Sequence, residues 1–375
     1  MKRQKVLLLV LAGCLALSLH GKSFPTAAQP ARIQLAILLD TSGSMDGLID
    51  QAKSRLWKIV NELATARKNG LAPRLQVALY EYGQDSIPAT AGYLRRIVPL
   101  SDDLDRISEQ LFKLKTNGGQ EFCGLVIQSA VRDLEWSGRN GDLKMIVIAG
   151  NEPFSQGAVD YKNSCREAIA RGILVNTIFC GNFQEGLQTG WKAGADLADG
   201  QYLAIDANHT PPPITAPQDK EIARLSQEMN RTYLAYGREG ASGKERQKEQ
   251  DKNAASLSSE VAAQRAAAKA APQYSNSAWD LVDAKKTGQV KLEEMAEAEL
   301  PEEMKGMTVK ERNEFVSALQ GKRETLQKKI FRLHDERQRF VEDKLKNQSA
   351  AGTLDAAIIR ALRLQAKAKN FSFDK

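Results

Sequence analysis

Asp40-Thr41-Ser42-Gly43-Ser44 puts one carboxylate and two hydroxyls on a very short stretch of chain. These are hard oxygen ligands of the kind that suit Mg²⁺ or Mn²⁺, with Ca²⁺ also within their range. Gly43 lets a tight loop bring Ser42 and Ser44 back toward the Asp40 carboxylate. Three ligands leave coordination positions open for water or for a carboxylate from a protein or peptide partner. The plainer alternative is a helix cap, since serine and aspartate ahead of a helix satisfy its free amides.

The surrounding sequence supplies the elements that would hold such a loop. Residues 33–39 form a nearly continuous apolar run, the pattern of a strand covered on both faces, and Asp40 terminates it. Leu48, Ala52, Leu56, Ile59, Val60 and Leu63 then recur at helical spacing, and Gly70 and Pro73 close that segment before a second strand at 75–82. Further strands are expected at 92–99, 143–149, 172–180 and 202–205, the last at an edge. Helices are expected at 125–136, 159–171 and 184–197, with another N-capped by Ser101 and carrying Asp102 and Asp103 in its first turn. Six strands alternating with helices predict an α/β fold, a doubly wound and mostly parallel sheet with helices on both faces. Such sheets bind ligands beyond the carboxyl ends of their strands, where Asp40, Asn151 and Cys180 fall.

Of 375 residues, 42% are apolar and 26% charged, enough for a sizeable core and for two domains. The formal charge of +7 is a small difference between 53 basic and 46 acidic residues, and no basic stretch carries interleaved aromatics. Nucleic acid is therefore not an expected partner. Lys2, Arg3 and Lys5 precede an apolar run at 6–19 that is too short for a comfortable membrane span and has the grammar of an export signal. Within it, Leu11-Ala12-Gly13-Cys14 resembles the bacterial lipoprotein processing box, which implies lipidation of Cys14 and a lipid anchor. The apolar run continues beyond Cys14, so ordinary cleavage near Gly21 or Ala28 stands beside that reading. Both place the chain outside the cytoplasm, periplasmic or as a membrane-anchored lipoprotein.

Pro211-Pro212-Pro213 and Pro217 mark a boundary. The expected organisation is an export signal and tether at 1–28, an α/β domain at 31–210, and a proline linker with a mainly helical region at 211–375. In that last region Ile222, Leu225, Met229 and Tyr233 form a helical stripe, and 237–257 is almost wholly polar, a loose linker or an exposed helix. Phe315, Leu319, Leu326, Ile330, Leu333 and Phe340 predict a long amphipathic helix. Its partner would be a second helix such as 354–364, or a neighbouring molecule in a self-associating coiled coil. Tyr274, Trp279 and Leu281 read as core contacts.

The strand, the Asp40–Ser44 loop and the alternating pattern together resemble the von Willebrand factor type A family over about 31–210. The resemblance implies a cation site at the top of the sheet, the metal-ion-dependent adhesion site, and protein recognition rather than catalysis. The family's aspartate and paired serines fall on Asp40, Ser42 and Ser44. Its second-loop threonine falls on Gln120, within Asn117-Gly118-Gly119-Gln120-Glu121, where Glu121 is a substitute carboxylate. Its third-loop aspartate falls in Gly150-Asn151-Glu152, so Asn151 or Glu152 would approach the ion directly or through water.

Cys123, Cys165 and Cys180 allow one internal disulfide, with Cys165–Cys180 the more natural pair and Cys123–Cys180 the alternative. No Cys-x-x-Cys spacing supports a thiolate metal site. His20, His209 and His334 have no evident nucleophile partner, and no glycine-rich loop carries a phosphate-binding lysine. The sequence thus predicts a non-enzymatic binding protein of the cell envelope that recognises a protein or peptide, with a divalent cation as mediator. The alternative is an envelope structural or assembly factor acting through its C-terminal helices, with an inactive cation site.

Overall fold

The computed structural model describes residues 30–206, 212–346 and 354–373. The export segment, with Cys14, lies outside the described residues, as does the 207–211 junction. The α/β part contains β1 (Arg32–Asp40), α1 (Asp46–Ala64), the short β2 (Ala66–Arg67), β3 (Arg74–Tyr82), β4 (Leu94–Ser101), α2 (Leu104–Lys113) and α3 (Cys123–Asp133). It continues through β5 (Leu143–Gly150), α4 (Tyr161–Ala170), β6 (Leu174–Cys180), α5 (Phe183–Gln188), α6 (Trp191–Asp196) and β7 (Tyr202–Ile205). Then come α7 (Asp219–Asn230), α8 (Gly240–Leu257), α9 (Ser259–Ala270), α10 (Leu281–Lys286), α11 (Val309–Lys346), α12 (Leu354–Ala368) and β8 (Ser372–Phe373).

Six strands form one sheet in the order β4-β3-β1-β5-β6-β7, parallel throughout except for β4, which returns antiparallel on β3 at the edge. The doubly wound, mostly parallel sheet expected from the sequence is thus the observed one. Alternate residues of β1 explain why its run is apolar on both faces apart from Gln34. Ile33, Leu35 and Leu39 enter a core against α1 and α2, whereas Ala36 and Leu38 enter a second core against α3 and α4. Parallel strands covered on both faces bury both sets of side chains.

Local details differ from expectation for identifiable reasons. The cap of α2 is Asp103, which accepts from the Arg106 amide at 2.9 Å, while Ser101 accepts from the Asp103 amide one step earlier. The helix expected at 184–197 is broken in two at Gly190, whose φ of +94° is costly for other residues. The polar stretch at 237–257 is largely the ordered helix α8, with Gln247 and Gln250 buried and Gly243 close against Trp279.

The long helix α11 packs on α7 and α9 of the same chain rather than on 354–364. The final helix α12 instead returns to the α/β part and lies on α1 and β7. Gln365 and Asn176 exchange two amide hydrogen bonds there, at 3.0 and 2.7 Å, and Arg363 pairs with Glu62. The chain then adds β8 antiparallel to β2. The α/β sheet is therefore completed by the end of the chain, with 212–346 lying between its last strand and its last helix. Val261, Ala263 and Ala266 of α9 share one apolar core with Ile33, Trp57 and Leu63.

Candidate functional site

Residues from three strand ends meet at the carboxyl edge of the sheet. Asp40 is fully buried, and its Oδ1 accepts from the Ser42 amide at 2.8 Å, which draws the loop back over the strand end. The Ser42 and Ser44 hydroxyls lie 3.4 Å apart, and Asn151 Nδ2 donates to Ser44 Oγ at 3.1 Å. From the β3 end, Tyr82 passes its hydroxyl to the Ala149 carbonyl at 2.9 Å, and the Thr41 amide bonds the Tyr82 carbonyl. The second loop closes over the first through the Asn117 amide, which donates to the Thr41 carbonyl at 3.0 Å.

Two glycines make this convergence sterically feasible. A Cβ on Gly83, whose φ is +77°, would stand 2.8 Å from Asp40 Oδ1 and 2.9 Å from Glu121 Cγ. A Cβ on Gly150 would stand 2.9 Å from Asp40 Oδ2 and 2.4 Å from the Tyr82 hydroxyl. The first pair of distances also shows that Asp40 and Glu121 approach the same point. In the second loop Glu121 is buried, while Gln120 beside it is exposed. Glu121, and not the residue at the threonine position, therefore turns inward. Asn151 and Glu152 are half-buried at the end of β5, with Asn151 in direct contact with Ser44.

The electrostatics follow from this burial. Desolvation lifts the Asp40 carboxyl to about 7, against the Ser42 amide bond that favours its charged form, and the Glu121 charge lifts it further. Burial also raises Glu121, with the Glu152 charge acting in the same direction. Asp40 Oδ2 and Asn151 Oδ1 are both buried without a hydrogen-bond donor, and Gln84 Oε1 on the next strand end is a third such acceptor. A buried acceptor left unmatched is costly, so a group of them calls for a donor or a cation. The donor set, one or two carboxylates with hydroxyl and amide oxygens, fits a hard divalent ion. Among the described residues no three His, Cys, Asp or Glu side chains form a metal cluster, so the hydroxyl and amide oxygens are essential to this fit.

The disulfide expectation is corrected. Cys123, Cys165 and Cys180 are all free and buried. Cys165 belongs to the core beneath α3 and α4, whereas Cys180 belongs to the core on the opposite face of the sheet, so the sheet itself separates them. Burial raises all three thiols, Cys165 to about 12, and keeps them protonated. Sequence reasoning also passed over Tyr82, Gly83 and Gln84. The available signal was a glycine directly after the second strand, at the same edge as Asp40.

The strand order, the single antiparallel edge and the Asp40–Ser44 loop at the carboxyl edge define a von Willebrand factor type A-like fold. No family model matches the chain, and no curated protein does. Solved structures align with about half of it. BatB from Bacteroides thetaiotaomicron is 15% identical over 46% of this chain and 90% of its own, at a TM-score of 0.36. The SpRpn10 von Willebrand factor type A domain is 16% identical over 46% of this chain and 87% of its own, at 0.35. Proximal thread matrix protein 1 of the mussel byssus, with a zinc-occupied metal-ion-dependent adhesion site, is 13% identical over 48% of this chain and 43% of its own, at 0.35.

Proposed function

We propose that this chain is a non-enzymatic binding protein of the cell envelope that takes up a hard divalent cation at the Asp40 edge and recognises a protein or peptide there. The observation that carries the reading is the pair of buried, donorless oxygens, Asp40 Oδ2 and Asn151 Oδ1, beside the Ser42 and Ser44 hydroxyls. Asp40, Ser42, Ser44 and Asn151 would hold the ion, with Glu121 as the second carboxylate. Mg²⁺ and Mn²⁺ suit this set best, with Ca²⁺ as the third ion to test. When bound, the ion supplies positive charge and open coordination positions for an acidic side chain of the partner. The chain's own part is to pre-place the oxygens, because Gly83 and Gly150 admit them and the Tyr82 hydroxyl braces the β5 end. Titration calorimetry with Mg²⁺, Mn²⁺ and Ca²⁺ on wild type and Asp40→Ala tests this. Uptake by wild type that is lost in Asp40→Ala and weakened in Ser42→Ala supports it. Equal, weak uptake by wild type and Asp40→Ala reduces the loop to a helix cap.

A further inference from the structure

At the opposite edge of the sheet, where the parallel strands begin, two lysines line an open cleft of about 590 Å³. Lys144, Arg171 and Lys369 line it together with Glu135. Lys68 stands alongside, its Nζ bonded to the carbonyls of Gly141 and Lys369. Lys144 is 9% exposed, and its Nζ bonds the Arg171 carbonyl. These bonds end helices and loops with positive charge, a stabilising arrangement in its own right. They do not neutralise it, because carbonyls are uncharged and each ammonium has three donors. Of the nearby carboxylates, Glu135 lines the cleft itself, and the other two are held by neighbouring groups. Asp142 is held by Arg139 and Ser137, and Glu167 by Arg132 and Arg171. Burial and the charge of Lys369 both disfavour the charged form of Lys144, with Asp142 acting against them.

The chain also enters the fold at this edge. Arg139 holds the Pro30 carbonyl at 2.9 Å, and the Arg32 amide is bound to Asp142 Oδ1. Residues 1–29 are thus joined to the body beside the cleft, at the end of the sheet opposite Asp40.

We infer that the Lys68–Lys369 edge, with Lys144 buried behind it, is a docking surface for the phosphate headgroups of an anionic membrane. Its occupant is a lipid surface rather than a soluble anion because an acyl anchor at Cys14 would tether the chain to the membrane by this edge. That choice rests on the lipidated reading of Cys14. It does not rest on the cation site, which would point away from the bilayer and stay open to partners. Each lysine near an anionic surface contributes about fivefold in affinity, and the attraction weakens as salt is raised.

The test is flotation of residues 29–375, which keep every described residue and carry no acyl group, with vesicles of phosphatidylcholine alone or with phosphatidylglycerol. Salt-sensitive binding to the anionic vesicles is expected, falling about 25-fold in Lys68→Gln/Lys369→Gln. Lys248→Gln/Lys252→Gln, on the exposed face of α8, is expected to bind as wild type does. Lys369→Gln alone keeps the test valid if Lys68 proves necessary for folding, with about a fivefold loss expected. Equal loss in the α8 variant would show that net charge alone is responsible and overturn the site. So would equal binding to neutral vesicles, no vesicle binding, or binding of inorganic phosphate without vesicle binding. Calorimetry of Asp40→Ala separates this result from the cation reading, since its vesicle binding is expected to be unchanged.

Discussion

Replacing Arg265 by Met should reveal whether the α/β sheet and the inserted helices unfold as one body. Arg265, on α9, is 1% exposed and donates to Asp105 on α2 at 2.7 Å and to Asp251 on α8 at 2.6 Å. It also bonds the Gln247 carbonyl, and its guanidinium lies 4.7 Å from the Trp57 ring centre on α1. Asp251 would keep Lys269 at 2.7 Å, but Asp105 would keep only the Tyr274 hydroxyl among these partners. Methionine fills much of the lost volume, so the main loss is an uncompensated buried carboxylate, which costs about 3–5 kcal/mol. Adding Asp105→Asn removes that charge and keeps an acceptor for Tyr274. The double variant should therefore be more stable than Arg265→Met alone, despite one more change. Urea unfolding of the full chain, followed by tryptophan fluorescence and far-ultraviolet circular dichroism, reads both effects. Coincident transitions are expected because Trp57 and Trp279 belong to one core. A loss below about 1 kcal/mol, a double variant weaker than the single, or a separate transition for the helices would refute the reasoning.

Three further outcomes follow from particular side chains. Burial, with Arg337 close by, lowers the His334 imidazole to about 4 from an ordinary 6.5. The folded state holds it neutral, so its contribution is present above pH 6.5 and is lost as pH falls through 4. Urea midpoints should show His334→Gln losing about 3 kcal/mol less than wild type across that window. Asp40 behaves in the opposite sense in chelated protein. Its raised value near 7 gives stability that is fully present below 3.8 and is lost as pH rises through 7. Asp40→Asn should accordingly be more stable than wild type at pH 8 by up to about 4 kcal/mol in chelator, and Mg²⁺ should raise the melting temperature of wild type alone. A difference between the two that is the same at pH 5 and pH 8 would contradict this. Gly150→Ala puts a methyl group 2.9 Å from Asp40 Oδ2. It should abolish the calorimetric cation signal while costing about 1–3 kcal/mol in urea unfolding, and undiminished cation uptake would show that the Gly150 contact is not limiting.

Local pattern made much of this protein legible from its residues. The nearly continuous apolar runs of β1 and β5 specify strands buried on both faces, and the threes and fours of α1, α7 and α11 specify helices. The Asp40–Ser44 loop was readable because its ligands are adjacent in sequence and need only one glycine turn to meet. Contacts between distant segments were not readable. Whether Gln120 or Glu121 turns inward depends on how the second loop lies over Gly83, where Gly119 leaves no room for a Cβ within 2.4 Å of the Gly83 carbonyl. The disulfide reading failed because spacing says nothing about which face of the sheet a cysteine occupies. Most of all, the proline run at 211–213 looked like the end of the α/β domain, yet α12 closes the sheet from the end of the chain. The Gln365–Asn176 pair spans 189 residues, and no local propensity encodes which distant amide a buried amide will find. Tertiary structure decides it, because a buried amide group must be matched on both its donor and its acceptor sides.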